Sequence, residues 1–179
     1  MTADDARAPD RPVIFLDFDG PLTHARYLAS QLPGVEHHSP QDEEWSDRLD
    51  PAAVARVGRI MEATGARVVV ISAWRQTMST GQLARHLRRR GLPLRSAYDV
   101  DRTPVTGDRC EEIRAWLDAH AMVDRFVVID DEPRAWGPDR LVCPTWAEGL
   151  TDADVDRAVA ILAAPTVPPG VVLRAYAAG

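Results

Sequence analysis

The chain has 179 residues, 45% of them apolar, enough for one domain with its own core and too many for a disordered chain. Its formal charge is -6, and all 21 of its fixed cations are Arg, with no Lys. That balance excludes broad, nonspecific attraction to nucleic acid or membrane and leaves room for a local basic patch.

Residues 1–11 read as a flexible tail, polar and acidic, with no apolar signal-peptide core. No apolar run approaches a membrane span, and Cys110 and Cys143 lack the CxxC spacing of a zinc site. The expectation is a cytoplasmic protein with no membrane partner. Residues 12–17 predict a strand buried on both faces, Val13-Ile14-Phe15-Leu16, which runs straight into Asp17-Phe18-Asp19-Gly20. Residues 21–50 read as an irregular, short cap-like insert, broken by Pro33-Gly34, His37-His38 and Pro40. Asp50-Pro51 opens a helix, with Val54, Val57, Ile60 and Met61 at helical spacing, and Gly65 closes it.

Arg67-Val68-Val69-Val70-Ile71-Ser72 predicts a second buried strand. A helix follows from about Ser79 to Arg90, then a weak strand over Ser96–Val100 and a helix over Asp108–His120. Arg125–Asp130 predicts another strand, its apolar run Phe126-Val127-Val128-Ile129 stopping at Asp130-Asp131, and Arg140–Cys143 a short one. Thr151-Asp152 caps a last helix, ended by Pro165, and 165–179 read as a Pro-rich tail containing Val171-Val172-Leu173. Strands alternating with helices over 12–164 predict βαβ units and a mostly parallel sheet. Sites in such sheets lie beyond the carboxyl ends of the strands, where Asp17, Ser72 and Asp130 all fall.

Several carboxylates at one sheet edge are costly unless neutralised, and a hard divalent cation such as Mg2+ suits oxygen ligands. In Asp17-x-Asp19, the first acid can attack phosphorus and the second can protonate a leaving oxygen and then activate water. Gly20 lets the chain turn sharply beside a phosphate. Ser72 either holds a phosphoryl oxygen, with the backbone of Ala73, or caps a turn. Arg75 pairs with phosphate or carboxylate, and Arg109, at the start of a helix, is either a surface Arg or a cation that neutralises nucleophile and phosphate. Asp130 and Asp131 supply a metal carboxylate and its supporting partner. His24, His37 and His38 lie in the insert, either simply solvated or touching a substrate. The Arg85-His86-Leu87-Arg88-Arg89-Arg90 run, with Arg95 beyond, reads either as a solvated helix face or as a phosphate-backbone contact.

Asp17-Phe18-Asp19-Gly20, Val70-Ile71-Ser72 and Asp130-Asp131, in this order, resemble the first, second and fourth motifs of the haloacid dehalogenase (HAD) superfamily. That resemblance covers roughly residues 12–162. It implies a Rossmann-like three-layer α/β/α sandwich with a minimal cap, and a Mg2+-dependent phosphomonoesterase working through an aspartyl-phosphate. It implies Asp17 as nucleophile and Mg2+ ligand, Asp19 as acid/base and ligand through its backbone carbonyl, Asp130 as ligand and Asp131 as its support. The third motif, usually Lys, is best matched by Arg109, with Arg75 and Arg102 as alternatives. More narrowly, Ile71-Ser72-Ala73-Trp74-Arg75 and Ile113-Arg114-Ala115-Trp116-Leu117 look like small HAD domains of bacterial RNA-repair systems. Those imply a nucleotide or a phosphorylated nucleic-acid end as substrate. The competing reading is a non-catalytic, metal-dependent binding or regulatory domain on the same scaffold. A receiver domain would place its acids in a different order and carry a late Lys, and a P-loop kinase would need GxxxxGK[ST].

Overall fold

The structure, a computed structural model, describes residues 11–31, 42–132 and 136–164. Short apolar runs form its sheet: β1 (Val13–Leu16), β2 (Arg67–Val70), β3 (Val100–Arg102), β4 (Phe126–Ile129) and β5 (Leu141–Val142). Every pairing is parallel, in the order β3-β2-β1-β4-β5. The helices are α1 (Ala25–Gln31), α2 (Asp42–Asp47), α3 (Pro51–Thr64), α4 (Thr80–Arg89), α5 (Arg109–Ala119) and α6 (Asp152–Ala163).

A parallel sheet covered on both faces has no solvent side, so β1 and β4 are apolar at every position and buried throughout. The strand period of two then divides them. Ile14, Leu16, Val68, Val70, Val127 and Ile129 pack with the apolar faces of α3, α4 and α6. Val13, Phe15, Val69, Ile71, Phe126 and Val128 pack with Ile113, Trp116 and Leu117 of α5. The result is the expected Rossmann-like α/β/α sandwich.

Helix ends follow local chemistry. The Asp50 side chain accepts from the Ala52 N–H, Pro51 occupies the first turn, and Gly65, at φ +70°, ends α3 in a left-handed conformation. Ser79 and Gln82 form a reciprocal capping box on α4, and Thr151 and Asp154 do the same on α6.

Two local expectations are corrected. The insert is not irregular throughout, because its ends form α1 and α2. Its breaking residues, from Pro33-Gly34 to Pro40, lie outside the described residues, as do His37, His38 and the Pro-rich tail with Val171-Val172-Leu173. The weak strand over Ser96–Val100 is instead a 3-10 turn at Ala97–Asp99, followed by β3. Asp99 accounts for the shift: its carboxylate accepts from the backbone N–H of Arg95 and Ser96 and pairs with Arg11 at 2.7 Å, which bends the chain before it can pair. Arg11 also donates to the carbonyls of Gly65 and Ala66.

β1 lies mid-sheet between β2 and β4, and the chain reverses its direction of winding about it. The crevice beyond the carboxyl ends of β1 and β4 is where a sheet of this kind presents a site.

Candidate active site

β1 and β4 run in register, Leu16 beside Ile129, and the Asp17 N–H donates to the Ile129 carbonyl at 2.9 Å. The residues that follow, Asp17 and Asp130, therefore emerge side by side. One carboxylate oxygen each from Asp17, Asp130 and Asp131 lie within 4.8 Å of one another. Gly20, at φ +96°, passes so close to this group that a Cβ there would overlap the Asp131 carboxyl. The Asp19 carboxylate is not part of the cluster.

α5 aims a cation at the acids. Asp108 caps its N-terminus by accepting from the Glu111 N–H, which leaves Arg109 in the first turn, facing the crevice. One guanidinium nitrogen of Arg109 donates to Asp17 Oδ2 at 2.6 Å and to Asp130 Oδ2 at 2.8 Å. Of the three arginines weighed for this role, Arg109 is the one that bridges the acids. Arg102 instead donates to the carbonyls of Arg75 and Met78.

Arg75 is not brought to the cluster with its terminal donors open. It is 3% exposed, donates to the Ile71 and Ser72 carbonyls, and pairs with the equally buried Glu112. A guanidinium this deep requires a carboxylate and carbonyl acceptors to offset its desolvation. The other oxygen of Glu112 accepts from the Thr106 and Gly107 N–H groups, so the pair ties the end of β2 to the loop that leads into Arg109. Glu112 escaped the sequence reading; its only local signal is burial of an acid on the apolar face of a helix.

Ser72 is fully buried, and its hydroxyl accepts from the Trp74 N–H at 3.4 Å, capping the 3-10 turn at Ala73–Gln76, the second of its two expected roles. Ala73 is exposed at the start of that turn. Trp74 donates from its indole N–H to Asp19 Oδ2 at 3.1 Å.

Burial, modified by nearby charge, sets the state of the acids. Burial pushes the Asp17 carboxyl up to about 6, with Arg109 pulling down and Asp130 adding to the rise. Burial also raises Asp19, opposed by the charge of Arg48 and the bond from Trp74. Asp131 is raised by burial and by Asp130. Burial disfavours the Arg109 charge, but Asp17 and Asp130 outweigh it and hold the guanidinium protonated. Burial thus makes Asp17, Asp19 and Asp131 resist ionisation beside a bridging arginine. The hard carboxylate oxygens of Asp17, Asp130 and Asp131 make a donor set that could hold a small divalent cation.

The remaining candidates lie elsewhere. His24 is 4% exposed; its Nδ1 accepts from the Tyr27 N–H at 3.4 Å, leaving Nε2 to donate to Asp50 at 3.1 Å. It braces the start of α3 and helps line a separate cavity of about 350 Å³ with Tyr27, Arg56 and Thr151, which none of the four acids lines. In the basic run, Leu83, His86 and Leu87 face the core, and Arg85, Arg88 and Arg89 face solvent. Among the described residues no helix is long and apolar enough to cross a membrane.

The family model described as the HAD domain in Swiss Army Knife RNA repair proteins matches residues 13–155. No curated protein and no solved structure gives a significant match. The matched span runs from β1 into α6 and takes in the four acids, Arg109 and the whole sheet. By its sequence, and in agreement with its fold, the chain belongs to this HAD domain family.

Proposed function

We propose that this HAD domain is a Mg2+-dependent phosphomonoesterase that works through an aspartyl-phosphate. Its substrate is a nucleotide or a phosphorylated nucleic-acid end, and we place it in the cytoplasm on the compositional grounds given above. The observation that carries the reading is the meeting of Asp17, Asp130 and Asp131 oxygens within 4.8 Å, bridged by Arg109. The family description supports the substrate class.

Asp17, Asp130 and Asp131 would hold the Mg2+, which offsets the repulsion between carboxylates and an anionic phosphoryl group. Arg109 orients Asp17 and adds positive charge where the phosphoryl oxygens gather. Asp17 attacks phosphorus, the bond to the leaving oxygen breaks, and Asp19 delivers its proton to that oxygen. The phosphoryl group is then on Asp17. Asp19, now a carboxylate, takes a proton from a water that attacks the same phosphorus, which releases phosphate and restores Asp17. The raised pKa of Asp19 suits a group that must carry a proton first, and the Trp74 bond fixes its orientation.

The test is turnover of p-nitrophenyl phosphate, a nucleoside monophosphate and 3′- or 5′-phosphorylated oligonucleotides with Mg2+. The wild type hydrolyses at least one of them, Asp17→Asn abolishes the activity, and EDTA removes it. Wild-type rates in Asp17→Asn would refute the nucleophile. Mg2+ binding without turnover of any substrate would favour the non-catalytic domain.

A further inference from the structure

The insert after β1 borders the Asp19 side of the site. Trp74, which holds Asp19, meets the ring of Trp45 on α2 edge-on, with centroids 4.5 Å apart. Arg48, just past α2, lies over Trp45 with its guanidinium carbon 5.5 Å from the ring centroid. α2 is fixed in turn on α4: Ser46 Oγ and His86 Nδ1 share a 2.7 Å hydrogen bond, and Arg90 pairs with Asp47 at 2.8 Å. The cation at Arg48 is therefore positioned by a chain of contacts that ends at Asp19.

Arg48 is half-buried, yet its side chain makes no ion pair and donates no hydrogen bond among the described residues. Arg11, Arg75, Arg90, Arg102 and Arg109, by contrast, all spend donors inside the fold. Arg48 is also the strongest charge opposing the burial of Asp19. A guanidinium held by its aromatic neighbour with all donors open is prepared for an anion that arrives with a ligand.

We infer that Arg48 is a specificity-determining residue: it binds the phosphodiester next to the terminal nucleotide, so the substrate is a phosphate-ended oligonucleotide and not a nucleoside monophosphate. This rests on the phosphomonoesterase reading. Asp19 gives its proton to the leaving oxygen, so what lies beside Asp19 faces the leaving group. An oligonucleotide leaving group carries a second anion there, and a nucleoside does not. Trp45 acts as a positioning residue that keeps the guanidinium over that path. Arg85 and Arg88, exposed on the helix that carries α2, add cationic surface on the same support.

The test compares wild type, Arg48→Ala and Arg48→Lys on 3′- and 5′-phosphorylated dinucleotides, the matching nucleoside monophosphates and p-nitrophenyl phosphate. Wild type prefers one of the dinucleotides over its monophosphate by about tenfold in kcat/KM, the effect of one charged contact. Arg48→Ala loses that preference, chiefly through KM, and its loss on the dinucleotide exceeds its loss on p-nitrophenyl phosphate by about tenfold. Arg48→Lys recovers part of it, and added salt erodes the preference in wild type but not in Arg48→Ala. Proportional losses on all substrates, or no wild-type preference, would overturn the inference. A wild type inert on every substrate refutes the phosphatase reading instead. Titration with the unphosphorylated dinucleotide then decides this one: weaker binding by Arg48→Ala sustains it, and equal binding overturns it.

Discussion

Asp17→Asn should make the metal-free protein more stable while removing its activity. Burial raises the Asp17 carboxyl from its ordinary 3.8 to about 6. A carboxyl whose pKa is higher folded than unfolded favours the fold in its protonated form. Its contribution is full below about pH 4 and is lost as pH rises through about 6. At about 1.4 kcal/mol per pH unit, ionised Asp17 costs the metal-free fold about 3 kcal/mol at pH 8. The amide cannot ionise and escapes that cost. In a chain of this size, such a difference raises the melting temperature by about 6–12 °C. The assay is thermal unfolding in EDTA across pH 4–8, by circular dichroism or calorimetry. The variant melts higher at pH 8, and the gap closes towards pH 4. Mg2+ then stabilises the wild type by mass action and leaves the variant nearly unchanged. Equal melting at pH 8 in EDTA, or a gap that ignores pH, would refute the assignment of a strained, metal-seeking carboxylate.

Asp19→Asn should lower kcat/KM, which reports the step in which the leaving group departs, on an alkyl phosphate by about 10²–10⁴, and on p-nitrophenyl phosphate by much less, because nitrophenolate leaves without a proton. Equal losses on the two would contradict the proton-donor role. Arg75→Met leaves Glu112 buried without its cation, at a cost of about 3–5 kcal/mol read as a lower melting temperature; an unchanged melt would show the pair to be dispensable. Gly20→Ala meets a strained left-handed φ, at about 1–2 kcal/mol, and displaces the Asp131 carboxyl. Mg2+ affinity measured by calorimetry should fall by about tenfold or more, and an unchanged affinity would remove Asp131 from the ligand set.

What was legible in the sequence was what periodicity and strand ends encode. Uniformly apolar runs such as Val13–Leu16 and Phe126–Ile129 mark strands covered on both faces, and the acids that stop them mark the carboxyl edge. The order of strands and helices then brings Asp17 and Asp130 together, because parallel neighbours in register expose their next residues at the same level. Arg109 could be singled out because it opens a helix before the second acidic strand. Which of its two expected partners Arg75 takes, phosphate or carboxylate, was not legible, because the carboxylate of Glu112 lies 37 residues away on another element and leaves no local pattern. The Trp74 bond to Asp19 and the edge-on contact of Trp45 with Trp74 were hidden for the same reason. They depend on how the insert docks, and the helical ends of that insert were masked in sequence by the Pro and Gly residues between them. Asp99 shows the converse: a single carboxylate satisfying two backbone N–H groups and Arg11 overrode the weak strand tendency of its segment.

The most direct test of the central claim is a rapid acid quench of Asp19→Asn during reaction with p-nitrophenyl phosphate, followed by peptide mass spectrometry. Without its base for the second step, that variant should accumulate a phosphoryl group on the peptide containing Asp17, in Mg2+ and not in EDTA. A phosphoryl group on another residue, or undiminished wild-type turnover in EDTA, would contradict the account.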